Sequence, residues 1–274
     1  MDTAIKATDK GEMIKAFDSN KVEHPWYFVI QDKDTFENVK SKVTYPCIMK
    51  PTDNAGSRGV VLVHNLKELE NEYGYTVSES RKGRVIIEEY MSGPEVSVEI
   101  MTVDGEPHIL QVTDKITTGA PHFVEMGHTQ PSRLGDQNVD KIKNLASRAV
   151  KAVGIQNGPA HVEIILTKDG PKMVELGARM GGDCITTHLV PLSTGIDMVR
   201  TTIEIACGQN IDIEPKISKG SAIRYFKTSE GVIKNITGVE QAKSIPGVKE
   251  ISFVKGVGDR VGSINSSVDR IGFV

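Results

Sequence analysis

The strongest constraint on this chain is a pair of alternating segments, Ala160-His161-Val162-Glu163-Ile164-Ile165 and Val174-Glu175-Leu176-Gly177-Ala178-Arg179-Met180-Gly181-Gly182. They flank the turn Lys168-Asp169-Gly170-Pro171. Alternation of apolar and polar residues around an Asp-Gly turn predicts an antiparallel hairpin in which every second side chain shares a face. In that register Glu163 and Glu175 project together. Adjacent carboxylates resist joint ionisation unless a cation lies between them, and oxygen donors suit Mg2+, which keeps phosphate and water partners. Arg179 follows the second glutamate by four positions and adds a planar cationic fork. The other reading of the same residues is a solvated acidic face on a surface hairpin.

Composition narrows the classes. A length of 274 residues allows one large domain or two smaller ones around a sizeable core. Formal net charge is -3 with both signs interspersed, and aromatics are only 5%. Neither a polyanion-binding surface nor a base-stacking platform is indicated, so no nucleic-acid partner is expected. No apolar run reaches the roughly 20 residues that span a bilayer, and charges stand where a signal peptide needs an apolar stretch. The expectation is a soluble cytoplasmic protein without a membrane partner. Cys47, Cys184 and Cys207 are far apart and form no C-x-x-C, which argues against a disulfide framework or a zinc cluster. Cys47, between Pro46 and Ile48, reads as a buried strand residue.

Along the chain, Asp9 caps a helix to Phe17, and Tyr45 to Lys50 forms a short strand. A turn-rich loop leads to a strand from Val60 to Val63, and Asn65 caps a helix to Tyr73. Strands are expected at Val85 to Ile87, Glu95 to Thr102 and Pro107 to Thr113. The stretch from Asp114 to Gln137 shows no regular period, as in long functional loops. An amphipathic helix spans Asn138 to Val153, with Ile142, Leu145, Ala149 and Val150 on its apolar side. After the hairpin come a helix near Ile196 to Cys207 and a strand-rich section from Ala222. Hairpins dominate, so the fold class is α+β with mainly antiparallel sheets. The expected division is an N-terminal helical segment (1–39), a small lobe (40–83), a large lobe (84–212) and a C-terminal strand-rich subdomain (213–274). The last subdomain stops in what reads as mid-strand, suggesting truncation.

Other segments carry recognisable chemistry. The loop from Asn54 to Gly59, including Gly56 and Ser57, can turn several backbone N–H groups toward an anion because Gly56 and Gly59 permit tight curvature. An ordinary strand-to-strand turn has the same look. No G-x-x-x-x-G-K-[ST] occurs, so this is not a Walker loop. Lys50 ends the preceding strand and would act as a point charge on phosphates. In Glu88-Glu89-Tyr90-Met91-Ser92-Gly93-Pro94-Glu95, backbone groups could meet an adenine edge and Glu95 could accept from ribose hydroxyls, although an acidic turn explains the stretch equally.

Together these pieces resemble the ATP-grasp superfamily over nearly the whole chain: Lys50 in Pro46-Cys47-Ile48-Met49-Lys50-Pro51, the loop to Gly59, the Glu88 to Glu95 connection, then Glu163, Glu175 and Arg179. The resemblance implies two α+β lobes that clamp ATP between antiparallel sheets. It further implies that Lys10 and Lys50 contact the phosphates and that the loop closes over them. Glu88, Glu89 and Met91 would meet adenine, Glu95 the ribose, and Glu163 and Glu175 would hold Mg2+, with Mn2+ as an alternative. One departure is Gly177, where many members have an asparagine ligand, so the metal count stays open.

Within the superfamily, Pro121 to Ser132 and Arg179-Met180-Gly181-Gly182-Asp183 are similar to amino-acid ligases of the bacilysin-synthetase, dipeptide-forming type. That resemblance places Glu125 and His128 near amino-acid groups, although a loop histidine without a ligand role is the competing reading for His128. Gly181 and Gly182 would let substrate approach the backbone. The implied reaction is γ-phosphoryl transfer to a carboxylate, giving ADP and an acylphosphate that an amine attacks, with Arg179 stabilising the oxyanion. The alternatives are a carbamoyl-phosphate-synthase-like or purine-biosynthetic ligase, and a non-catalytic ATP-binding module. Partners would be small-molecule carboxylates and amines, and a homodimer is compatible. Members of this group carry about 100 further residues before the Asp9 segment, a typical domain size. The expectation is therefore a nucleotide-binding fragment that turns over poorly alone.

Overall fold

The computed structural model describes residues 2–274 except Ser57 and Pro121. The expected phosphate-loop role of Ser57 thus falls outside the described residues. The chain opens with α1 (Asp2–Lys6) and α2 (Lys10–Ser19). Asp9 caps α2 as expected: its backbone is extended and its carboxylate accepts from the N–H groups of Gly11 and Glu12, satisfying donors that the first helical turn leaves open.

The smaller sheet comprises β1 (Tyr27–Ile30), β2 (Cys47–Pro51), β3 (Val61–Val63) and β4 (Val85–Glu89), in the order β1-β4-β2-β3 and antiparallel throughout. Helices α3 (Lys33–Val39) and α4 (Leu66–Ser78) belong to the same lobe, and Asn65 caps α4 through the Glu68 N–H. One sheet face carries Cys47, Met49, Val85 and Ile87, which join Leu69 and Val63 in a dry core. Strand alternation turns Ile48, Lys50 and Glu88 the other way. The sheet takes β1 from before residue 40 and β4 from beyond residue 83, so it extends past both expected boundaries of the small lobe.

The larger sheet contains β5 (Glu95–Val103), β6 (Glu106–Thr117) and β7 (Glu125–Gln130). After α5 (Asp136–Val153) it adds β8 (Gly158–Thr167) and β9 (Gly170–Gly177). A π-helical turn (Ile185–Leu189), α6 (Val190–Thr194) and α7 (Met198–Ala206) precede β10 (Ser221–Arg224), which completes the order β10-β7-β6-β5-β8-β9. All its pairings are antiparallel. Val96, Val98, Val112, Val162, Ile164 and Leu176 face α5 and α2 and pack on Ile142, Leu145, Ala149, Val150, Met13 and Phe17. Each such large side chain contributes about 1.5–3 kcal/mol on burial. The opposite face carries Glu95, Ser97, Glu99, Lys115, His128, His161, Glu163 and Glu175, and it faces the small lobe and the C-terminal residues.

The aperiodic loop expected from Asp114 to Gln137 is corrected by the structure. Its first residues continue β6 to Thr117, and Glu125–Gln130 form β7. The hydrophobic pattern is missing because β7 is buried with polar side chains held by hydrogen bonds: Gln130 donates to Thr113 at 2.8 Å and accepts from Ser193 at 2.9 Å. Beyond β10 the chain forms β11 (Gly231–Val232), α8 (Val239–Lys243), β12 (Ser252–Phe253), β13 (Arg260–Val261) and β14 (Gly272–Phe273), paired as two ribbons, β11 with β13 and β12 with β14. The backbone of Val274 exchanges two hydrogen bonds with Arg224. No described helix is long and apolar enough to cross a membrane.

Candidate active site

A cleft of about 460 Å3 lies between the polar faces of the two sheets. Lys50 enters it from the end of β2 and pairs with Glu88 at 2.6 Å, both side chains being 8% exposed. Burial opposes the charge on Lys50, but the carboxylates of Glu88, Glu175 and Glu163 outweigh it and hold the ammonium above its ordinary range. Lys10, at the start of α2, donates to the Asn54 carbonyl at 2.8 Å and lies 3.2 Å from Glu175. Asn54 fixes its own loop by donating to the Glu79 carbonyl at 2.9 Å and accepting from the Ala55 N–H at 3.0 Å. Gly59 has φ +74°, and a Cβ there would fall 2.7 Å from Glu79 and 2.8 Å from Pro51, so only glycine closes this turn. Gly56 and Met91 line the cleft.

Two expectations shift in detail. Glu88 and Glu89 belong to β4 rather than to a connection, and their carboxylates are taken by Lys50 and by Lys172, the latter at 2.8 Å. Their side chains therefore serve the cleft's charge balance. Glu95 is held by Lys115 at 2.5 Å rather than standing open toward a ribose.

The hairpin register pairs Glu163 directly with Glu175, and the pairing shifts by one residue immediately after Glu163. Each carboxylate has a cation beside it, Lys10 at Glu175 and Lys115 at Glu163. Lys115 lies 3.3 Å from Glu163, and His161 Nε2 also lies 3.3 Å away, with its Nδ1 2.8 Å from Glu99. Burial would raise Glu163, but Lys115 and His161 keep it well below the usual carboxylate range. Burial likewise opposes charge on His161, yet Glu99 and Glu163 push it up to about 10. Gly181 covers this pair so closely that a Cβ would lie 2.8 Å from Glu99 Oε2 and 2.9 Å from His161 Nδ1. Among the described residues no group of three His, Cys, Asp or Glu side chains forms a metal cage. The two facing carboxylates fit Mg2+ all the same, since this ion takes one or two carboxylates and completes its shell with phosphate oxygens and water.

Beyond Lys115, Glu125 and Glu163 lies a second cavity of about 250 Å3 that shares these three residues with the cleft. It is lined further by Arg179, His128 and Asp183. Arg179 is exposed, and its guanidinium donates to the Met180 carbonyl at 3.1 Å with no carboxylate partner among the described residues. His128 sits on β7 rather than on a loop, opposite Lys115 in register, and its Nε2 lies 3.2 Å from Asp183. Asp183 and Cys184 both adopt positive φ, 51° and 60°, a conformation non-glycine residues keep only where the surroundings impose it. Reading of the sequence alone misses Lys115 and Arg270. Lys115 was hidden in the stretch taken as aperiodic, where continuing the β6 alternation would have placed it on the polar face. Arg270 shows no local signal at all.

Comparison with known proteins agrees with this architecture. Residues 43–187 match the ATP-grasp domain, and residues 224–274 match the L-amino acid ligase C-terminal domain 2. The chain belongs to the ATP-grasp family. Among its relatives, the alanine--anticapsin ligase of Bacillus subtilis (strain 168) is 27% identical over 234 residues, 77% of this chain and 49% of that protein. The L-arginine-specific L-amino acid ligase of Bacillus subtilis is 24% identical, covering 97% of this chain and 66% of that protein. The crystal structure of an L-amino acid ligase from Bacillus licheniformis superposes with a TM-score of 0.85 at 25% identity, covering 99% of this chain and 67% of that one. The chain thus spans between about half and two thirds of the length of these proteins. The fold is the ATP-grasp fold, α+β with antiparallel sheets, as the sequence implies.

Proposed function

We propose that the chain is the nucleotide-binding and catalytic part of an ADP-forming carboxylate–amine ligase acting on amino acids. The observation that carries this reading is the shared wall: a nucleotide-sized cleft opens through Lys115, Glu125 and Glu163 onto a second, polar cavity. A γ-phosphoryl group held at that wall lies between the two compartments, where a carboxylate from the second cavity can receive it. The ligase relatives named above support the same reaction class.

In this reading Lys10, Lys50 and Lys115 neutralise the phosphates, each exchanging its present carboxylate partner for phosphate oxygen. Asn54, Gly56 and Gly59 shape the loop over them. Glu163 and Glu175 would hold Mg2+, which when bound neutralises charge on the transferring phosphoryl group. The backbone from Glu89 to Met91 meets adenine, and Glu95 lies toward the ribose. In the second cavity Arg179, the guanidinium without a carboxylate partner, binds a substrate carboxylate or the oxyanion formed when the amine adds. Glu125, only 3.7 Å from Lys115 but otherwise open, attracts an amino group.

The test is ADP release with Mg2+, ATP and pairs of amino acids, measured on the full-length protein. The expected result is release that requires a particular pair. Mg-ATP binding seen by calorimetry, with no ADP release from any pair, would instead make the chain a non-catalytic ATP-binding module.

A further inference from the structure

Arg270 stands 87 residues beyond Asp183, yet the two form a two-point ion pair beside the second cavity. Nη1 reaches Asp183 Oδ2 and Nη2 reaches Oδ1, each at 2.8 Å, so the fork occupies both oxygens. Nη1 also donates to the Glu125 carbonyl at 3.0 Å, and the guanidinium lies 3.8 Å from the centroid of the Tyr225 ring. With a side chain only 12% exposed, Arg270 cannot swing into solvent without giving up all of these contacts. His128 Nε2 lies 3.2 Å from the same Oδ2 of Asp183. Burial disfavours ionised Asp183, but His128 and Arg270 hold it far below the usual carboxylate range.

The cavity around this pair is small and polar. Ile185 is the one aliphatic side chain among its described lining residues, and its volume of about 250 Å3 falls below the roughly 300–1,000 Å3 common for larger ligands. Of its three acidic side chains, Glu163 belongs to the nucleotide wall and Glu125 is open to an amino group. Asp183 is therefore the carboxylate that could meet a substrate side chain, and Arg270 has already taken it.

We propose that Arg270 sets the side-chain specificity of the second cavity: by occupying both oxygens of Asp183 it removes the seat for a cationic side chain, so the cavity accepts small uncharged amino acids and rejects lysine-like ones. This inference rests on the amino-acid ligase reading above. Rejection follows because a second cation would enter a confined site beside the Arg270 guanidinium, with Asp183 already paired and Glu125 left for the amino group.

The experiment compares the wild-type protein with R270Q, D183N and the R270Q/D183N double variant. Binding of lysine and of serine is measured by calorimetry with Mg2+ and a non-hydrolysable ATP analogue, and ADP release is followed in parallel. R270Q is expected to raise the lysine-to-serine preference about tenfold or more, and the double variant to return it to the wild-type value. Equal weakening of both ligands in R270Q, or a gain that D183N does not cancel, overturns the proposal. Should R270Q fail to fold, judged by thermal unfolding, D183N alone decides. Its uncompensated Arg270 should shift preference from serine toward aspartate about tenfold, and an unchanged ratio overturns the proposal. The binding ratios do not depend on turnover. Absence of ADP release from the full-length wild type would thus sink the ligase reading, whereas an unchanged lysine-to-serine ratio would sink this one.

Discussion

The cleft and the second cavity share a wall but balance their charges in opposite ways. In the cleft each ammonium rests on carboxylates that also face the open volume: Lys10 on Glu175, Lys50 on Glu88, and Lys115 on Glu95 and Glu163. Such pairs are exchangeable, since phosphate oxygens can replace carboxylate oxygens and a cation can then bridge the released glutamates. In the second cavity, Asp183 is locked by a two-point fork whose guanidinium is stacked on an aromatic ring. An exchangeable arrangement suits a ligand that must bind and leave in altered form. A locked one suits a wall whose shape and charge stay constant through the cycle.

The sharpest way to break this comparison is at the shared wall. Glu163→Gln removes one counter-charge from each of Lys115 and His161 together with half of the proposed metal seat, so turnover should fall at least about 100-fold. Mg2+-dependent ATP binding, measured by calorimetry, should weaken with it. If binding and turnover persist, the paired carboxylates are a passive feature of the sheet. Lys50→Met tests the cleft alone. It leaves Glu88 buried without its partner and should cost about 3 kcal/mol of stability in denaturant titration. ATP affinity should fall by more than about tenfold while amino-acid binding is unchanged. An equal loss in both ligands would mean that the two compartments are one.

Smaller effects sharpen the picture. Gly181→Ala forces a Cβ against Glu99 and His161 and should destabilise the protein by about 1–2 kcal/mol, read from the denaturation midpoint. Asp183→Asn has a sign set by linkage. The carboxyl is depressed in the folded state, so its contribution is fully present above its unfolded pKa near 4 and is lost as pH falls through the lower folded value. The stability difference between wild type and variant, about 1 kcal/mol at neutral pH for this partly exposed pair, should be flat from pH 5 to 8 and shrink below about pH 4. A difference that grows on acidification would contradict the locked pair.

The two regions also differ in how far their residues could be read from the sequence. The cleft is built from short contiguous motifs, and local rules locate them. Alternation around Asp169-Gly170 puts Glu163 opposite Glu175, and capping chemistry places Asp9 and Asn65 at helix starts. The second cavity is assembled across the chain from β6, β7, the turn at Asp183 and the last few residues. Strand β7 defeats the hydrophobic period because Gln130, Thr129 and His128 are buried through hydrogen bonds rather than through apolar packing. Lys115 disappeared with it. The Asp183–Arg270 pair depends on tertiary proximity, to which no spacing rule refers, and Glu95 and Glu88 read as open acceptors because their buried lysine partners lie on other strands.

That Arg270 closes a wall begun near residue 115 also sets an order of assembly during synthesis. Every side chain that lines the cleft has been made once Glu175 is added, whereas the fork on Asp183 waits for residue 270, about 5–20 s later at a ribosomal pace of ~5–20 residues/s. For that interval the emerging chain holds the side chains of the cleft and Asp183 itself, but not the guanidinium that locks Asp183.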